Sequence, residues 1–192
     1  MESPLPRSIV LSGWAVFALV AVAGYAASEL QRRRTGGNRA PVVRSRASLW
    51  GLALETLSFA LVWGFRRAPM GSTLWGWAAA ALAMAAVALF AWSVSCLGVH
   101  FRIQAVVTGD HRLVTEGPYR LVRHPIYASL LLMLISNALL VARWESALAA
   151  LALFIAGTEI RVRVEERLLA SRMPAAFAAY RARVSAYIPF LR

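Results

Sequence analysis

The sequence predicts an all-α fold, a polytopic transmembrane helix bundle of about five spans. Three observations predict it. Hydrophobic residues make up 59% of the 192 positions and charged residues only 16%, a balance that soluble domains of this size rarely show. Several apolar runs meet the length of about 20 residues that a bilayer core of roughly 30 Å requires. The arginines gather at the ends of those runs, where membrane topology places them.

The first run, Ile9 to Ser28, carries no charge. It lacks a basic leader beyond Arg7, and Arg32-Arg33-Arg34 follows, so it reads as an uncleaved anchor rather than a signal peptide. A Gly/Pro/Arg-rich loop from Arg32 to Arg46 holds six arginines. The second run, Ala47 to Phe65, is interrupted by Glu55, and Arg66 to Gly71 forms a turn. The third, Thr73 to Val99, is the longest and sets Trp75, Trp77 and Trp92 near its ends, as interfacial aromatics sit. His100 to His124 is too polar to span and too apolar for a plain linker, and a connection of this length is usually functional. The fourth run, Pro125 to Ala142, starts on a proline, whose missing N–H costs nothing in a first turn. After the turn Arg143-Trp144-Glu145, the fifth run is apolar from Ser146 to Thr158 and continues as a charged helix. The tail from Ala170 to Arg192 is amphipathic.

Five spans put the two termini on opposite sides. Seventeen arginines lie in the 32–46 loop, the 100–124 segment and the chain from Arg161 onward, against Arg7, Arg66, Arg67 and Arg143 on the other face. That asymmetry predicts an outside N-terminus and a cytoplasmic C-terminus. The formal charge of +12 is carried entirely by arginine among the basic residues. Because these flank apolar runs, the charge argues for membrane topology and against nucleic-acid binding. The single cysteine, Cys96, excludes an intrachain disulfide and any Cys/His zinc spacing.

Few residues are placed to do chemistry. Gly117 to Tyr127 packs two Tyr, one His and two Arg at a helix entry. Free N–H groups and the positive dipole end suit an anion there, although Arg and Tyr also serve as plain interfacial anchors. On the charged helix, Arg161 and Glu165 share a face, while Glu159/Arg163 and Arg163/Glu166 have ordinary ion-pair spacing. Glu55 lies mid-span, where a carboxylate is either functional or paired with an Arg of another helix. Asn137 reads as a helix–helix hydrogen bond, and the alanine-rich stretch from Ala78 to Ala88 as close helix packing. With neither a P-loop nor a GxGxxG after a strand, a soluble-type nucleotide fold is excluded.

Taken in order, these clusters resemble the isoprenylcysteine carboxyl methyltransferase family and its bacterial and archaeal relatives, phospholipid N-methyltransferases included. The residues that carry the resemblance are Leu97-Gly98, His111 to Arg120, Arg123-His124-Pro125-Ile126-Tyr127, Arg161 to Glu166, and Phe177, Tyr180, Arg183-Val184 and Ile188-Pro189-Phe190. The resemblance implies a membrane enzyme that uses S-adenosylmethionine (SAM) without a Rossmann domain, in a cytoplasmic C-terminal cofactor-binding region. By position it implies that Gln104, His111, Arg112, Leu113, Val114, Tyr119, His124, Pro125, Ile126, Tyr127 and Glu165 line the cofactor. Arg161 then faces the acceptor as the catalytic residue, and no metal is implied. Residues 97–192 would form the catalytic part, and residues 1–96 a scaffold through which a lipophilic or lipid-linked substrate enters from the bilayer.

Two departures stand out. Met173-Pro174 replaces the Phe-Gly that the family often carries, and Phe177 replaces its first Tyr. Two rival readings remain at this point. Membrane sterol reductases share an Arg-His-Pro helix entry but use NADPH, and the Glu165-Glu166 pair ahead of Leu168-Leu169 argues against them. A non-enzymatic scaffold or small transporter has only Glu55 in its favour.

Overall fold

A computed structural model describes residues 4–34, 45–65, 73–98, 101 and 113–187. Six α-helices follow one another: α1 (Leu5–Arg34), α2 (Arg46–Gly64), α3 (Thr73–Leu97), α4 (Pro125–Val141), α5 (Trp144–Arg172) and α6 (Pro174–Arg181). A 3-10 turn, Gly117–Arg120, precedes α4. The described residues include no β-strand; Val122 and Ser185 form an isolated parallel bridge.

Three helices are long and apolar enough to cross a membrane, over Leu5–Gln31, Arg46–Gly64 and Leu74–Leu97. α4 is apolar but has 17 residues. α5 has 29 residues, and its second half is charged. Proline sets two of the boundaries. Pro125 opens α4, and Pro174 opens α6. The residue before a proline is pushed out of the helical region, so α5 stops at Met173 (φ −136°, ψ 61°). The Met173-Pro174 departure is therefore a helix break.

Packing pairs α2 with α5, and α3 with both α4 and α1. The alanine stretch does what small residues do between membrane helices: Ala79, Ala80, Ala83 and Ala86 are fully buried on α3. Against them lies a core in which Phe17 and Phe90 stack at 3.8 Å. Asn137 joins three helices. The indole N–H groups of Trp14 on α1 and Trp63 on α2 both donate to its Oδ1 at 3.1 Å, and its Nδ2 donates to the Met133 carbonyl.

α2 and α5 cross at two glycines. A Cβ on Gly51 would lie 2.6 Å from the Gly157 carbonyl oxygen, and one on Gly157 would lie 2.6 Å from that of Gly51. Only glycine permits backbones to approach this closely. That approach sets the side chains of Glu55 and Arg161 opposite each other, at the base of the site.

Candidate active site

The site is built from five pieces of chain: the middle of α2, the 3-10 turn, the entry of α4, α5 from Thr158 onward, and α6 with the tail that follows it. Pro125 is buried in the first turn of α4, and His124 sits just outside it (φ −126°, ψ 60°). This geometry leaves the His124 imidazole between two carboxylates of α5. Its Nε2 lies 3.2 Å from Glu166 Oε1, and its Nδ1 lies 3.7 Å from Glu165 Oε2. Adjacent residues on a helix project about 100° apart, so a Glu-Glu pair can grip a ring from both sides.

Tyr127 and Arg161 form the inner layer. The Arg161 Nε donates to the Tyr127 hydroxyl at 3.0 Å, and that hydroxyl donates to Glu165 Oε1. The guanidinium also lies 5.4 Å from the Tyr127 ring centre. Deeper still, Arg161 Nη1 pairs with Glu55 Oε2 at 3.5 Å, and Thr158 Oγ1 donates to Glu55 Oε1 at 3.0 Å. Glu55, the mid-span carboxylate, is thus paired with an arginine of another helix. Arg161, Glu55, Thr158 and Tyr127 are each at most 8% exposed. Buried charges persist only when paired and hydrogen-bonded, and here the two charges come from different helices, Glu55 from α2 and Arg161 from α5.

The outer layer centres on Glu166. Arg123 Nε donates to Glu166 Oε1 at 2.9 Å, and Arg123 Nη1 donates to the Val184 carbonyl. Burial works to raise the Glu166 carboxyl. Hydrogen bonds from His124 and Arg123, together with the Arg123 charge, overcome that and hold it at about 2. The spacing of Arg163 and Glu166 suggested a pair within the helix. Instead Arg163 binds Glu159 at 2.7 Å, and Glu166 turns inward to Arg123. An exposed i,i+4 pair stabilises a helix by only about 0.3–0.5 kcal/mol, so the buried partner decides where Glu166 points.

The tail completes the wall. The Arg123 and His124 amides donate to the Ser185 and Ala186 carbonyls at 2.8 and 3.0 Å. The Tyr180 hydroxyl donates to the Tyr119 carbonyl at 2.6 Å, and that of Tyr187 to Glu159 Oε2 at 2.9 Å. Phe177 and Tyr180 are both buried on α6. The tail's amphipathic character was legible in the sequence. Its docking on the Arg-His-Pro element was not, because a two-residue bridge leaves no periodic signature.

Tyr119 is the exception to this pairing. It is 7% exposed, and its hydroxyl has no hydrogen-bond partner among the described residues. Burial first, then the nearby Glu165 carboxylate, push that hydroxyl well above the usual tyrosine range. Gly117, at φ +58°, holds the turn below it. A Cβ there would meet Cys96 Sγ at 2.5 Å and Trp92 Nε1 at 3.0 Å.

Of the residues singled out in the sequence, Tyr119, His124, Pro125, Tyr127, Arg161 and Glu165 converge here. Ile126 instead packs into the apolar core between α1 and α3. Leu113 and Val114 are half-buried in non-helical chain ahead of the 3-10 turn. Gln104, His111 and Arg112 lie outside the described residues, as does Ile188-Pro189-Phe190. Arg123, Thr158, Glu166 and Tyr187 join the same cluster through partners that the sequence does not name. Position beside His124 and Glu165 was the signal available for Arg123 and Glu166.

Apolar membrane-crossing helices that enclose a buried Arg/Tyr/Glu/His cluster define a class, the integral membrane proteins with a polar site at the end of the bundle. Within that class, residues 79–171 match the model of the isoprenylcysteine carboxyl methyltransferase (ICMT) family. The matched stretch includes the 3-10 turn, the Arg-His-Pro element and the Arg161–Glu166 segment. No curated protein matches the chain significantly.

Proposed function

We propose that this protein is an integral membrane, SAM-dependent methyltransferase acting on a lipophilic or amphipathic acceptor, an isoprenylcysteine-type carboxylate or a related lipid. One observation carries the reading. Elements far apart in the chain, such as Tyr127 and Glu165 at a separation of 38 residues, converge on one buried polar cluster in the family-matched stretch.

The residues present fit the cofactor. The Glu165 and Glu166 carboxylates beside His124 suit a positively charged donor. The unpartnered Tyr119 hydroxyl suits a polar group of a bound ligand, since buried hydroxyls are seldom left without one. Tyr119, His124, Pro125, Tyr127 and Glu165 would therefore hold SAM, with Gln104, His111, Arg112, Leu113, Val114 and Ile126 as the family's further positions. When bound, SAM supplies an already activated methyl group for in-line displacement.

The protein's own task is then to position the acceptor and exclude water. Arg161 aligns a carboxylate acceptor, which is ionised at neutral pH and needs no general base. For an amine or thiol acceptor, Glu165, His124 or a water would take the proton. α4 and the apolar half of α5 complete five spans, with the N-terminus outside and the site on the cytoplasmic side. The acceptor enters from the bilayer, through residues 1–96, into the catalytic region of residues 97–192.

Titration calorimetry of the detergent-purified protein tests this. Saturable binding of S-adenosylhomocysteine (SAH) and none of NADPH is the expected result. Binding of NADPH alone establishes the reductase reading, and binding of neither leaves a scaffold.

A further inference from the structure

Arg161 is held from two sides, by Tyr127 on α4 and by Glu55 on α2. α2 lies wholly outside the family-matched stretch. Within α2, Glu55 is 4% exposed, and its two oxygens are divided between partners on α5: Oε1 accepts from Thr158 and Oε2 faces Arg161. The backbone is shaped to permit this. The Gly51–Gly157 crossing lies one helical turn before Glu55 and Arg161, and a Cβ on Gly51 would meet Arg161 Cγ at 2.6 Å. Two glycines and a threonine thus bring one carboxylate to one guanidinium.

The physical need is direct. An arginine side chain has many rotamers and a cation that demands compensation in a low-dielectric bundle. The Nε–Tyr127 bond fixes one edge of the planar fork, and the Nη1–Glu55 pair fixes another. Two edges held by two different helices define the plane and direction of the guanidinium. An acceptor aligned by that fork inherits both.

We infer that Glu55, contributed by α2, is a positioning residue that orients Arg161 toward the methyl acceptor. The inference rests on the methyltransferase reading above and extends the site beyond the family's stretch. α2 becomes a wall of the site in addition to a path for substrate. Glu55 touches neither cofactor nor acceptor and acts through Arg161.

The test uses the full-length protein in lipid nanodiscs, with tritiated SAM. The acceptor probes are N-acetyl-S-farnesylcysteine, phosphatidylethanolamine and dodecanethiol, and kinetics follow with whichever the wild type methylates. Glu55→Gln keeps the side chain's volume and its bond with Thr158, so a role in packing alone leaves the kinetics unchanged. The expected result is a loss of about tenfold to a hundredfold in kcat or in kcat/KM for the acceptor, with SAH affinity within about twofold of wild type. Thr158→Val, which frees one Glu55 oxygen, is expected to lose about threefold. In an Arg161→Lys background, Glu55→Gln is expected to add little, because both changes act on one unit. An active wild type with a kinetically unchanged Glu55→Gln variant overturns this inference alone. Full additivity of Glu55→Gln with Arg161→Lys overturns it as well. A wild type that neither binds SAH nor methylates any of the three probes overturns the methyltransferase reading, and this inference with it.

Discussion

Tyr119 shows how a single residue carries information that its neighbours do not. The Tyr119 hydroxyl is fully buried and has no hydrogen-bond partner among the described residues. Leaving a buried hydroxyl unpaired costs about 1–3 kcal/mol. Tyr119→Phe is therefore expected to raise the stability of the ligand-free protein by about 1 kcal/mol while weakening SAH binding about tenfold. Thermal unfolding followed by tryptophan fluorescence, with and without SAH, reads both effects. A variant destabilised without ligand would show that the hydroxyl has another role. Arg161→Ala is expected to bind SAH and remain folded, yet to lose transfer by more than about a hundredfold. Much at this scale was legible in the sequence. Arg161, His124, Tyr127 and Glu165 share ordered motifs, and helical spacing already set Arg161 and Glu165 on one face. The roles of Glu55, Thr158 and Glu166 were not settled there. Each depends on a partner from another helix, and periodicity within one helix cannot name that partner.

Among the elements, the α2–α5 crossing and the docked tail carry the sharpest consequences. Gly157→Ala would put a methyl 2.6 Å from the Gly51 carbonyl, on backbone that cannot swing aside. Overpacking of this kind costs about 1–3 kcal/mol, so the variant should unfold at lower temperature and lose the Glu55–Arg161 register. Equal stability to wild type would show that α2 and α5 separate easily. The tail is the second case. Its clasp on Arg123 and His124 is reinforced where Arg123 bridges Glu166 and the Val184 carbonyl. The Glu166 carboxyl titrates at about 2 in the folded protein against an ordinary value of 4.5. A depressed carboxylate contributes stability above its unfolded pKa and loses it as pH falls through the folded one. Hydrogen-exchange protection of the Arg123 and His124 amides, corrected for intrinsic rate, should therefore be flat down to about pH 5 and decline below it. Constant protection down to about pH 2.5 would mean that Glu166 does not hold the clasp. Helix positions were readable because Pro125, Pro174 and the apolar runs mark them. The tail's docking was not, since the Tyr180–Tyr119 bond spans 61 residues without any local pattern.

For the whole molecule, the bundle divides its work. α1, α2 and α3 supply the lengths that cross a membrane, and the family-matched stretch from residue 79 supplies most of the polar cluster. Seventeen of the 21 arginines fall on one predicted face. A C-terminal green fluorescent protein fusion should accordingly fluoresce, and an N-terminal tag should be accessible from outside intact cells. The reverse pattern would refute the five-span arrangement. Composition made the membrane class plain, because no soluble core needs so much apolar residue with so little charge. It could not decide whether α4, with 17 residues, and the half-charged α5 cross as full spans. That depends on neighbours and on bilayer thickness rather than on the segments themselves.

The central claim is that the buried cluster around Arg161 performs methyl transfer at the membrane. Purified protein in lipid vesicles, given tritiated SAM and the three acceptor classes, tests it most directly. Wild type should move label into the lipid-extractable fraction, and Arg161→Ala should not, although both bind SAH. Label transferred equally by both proteins, or by neither, would contradict the account.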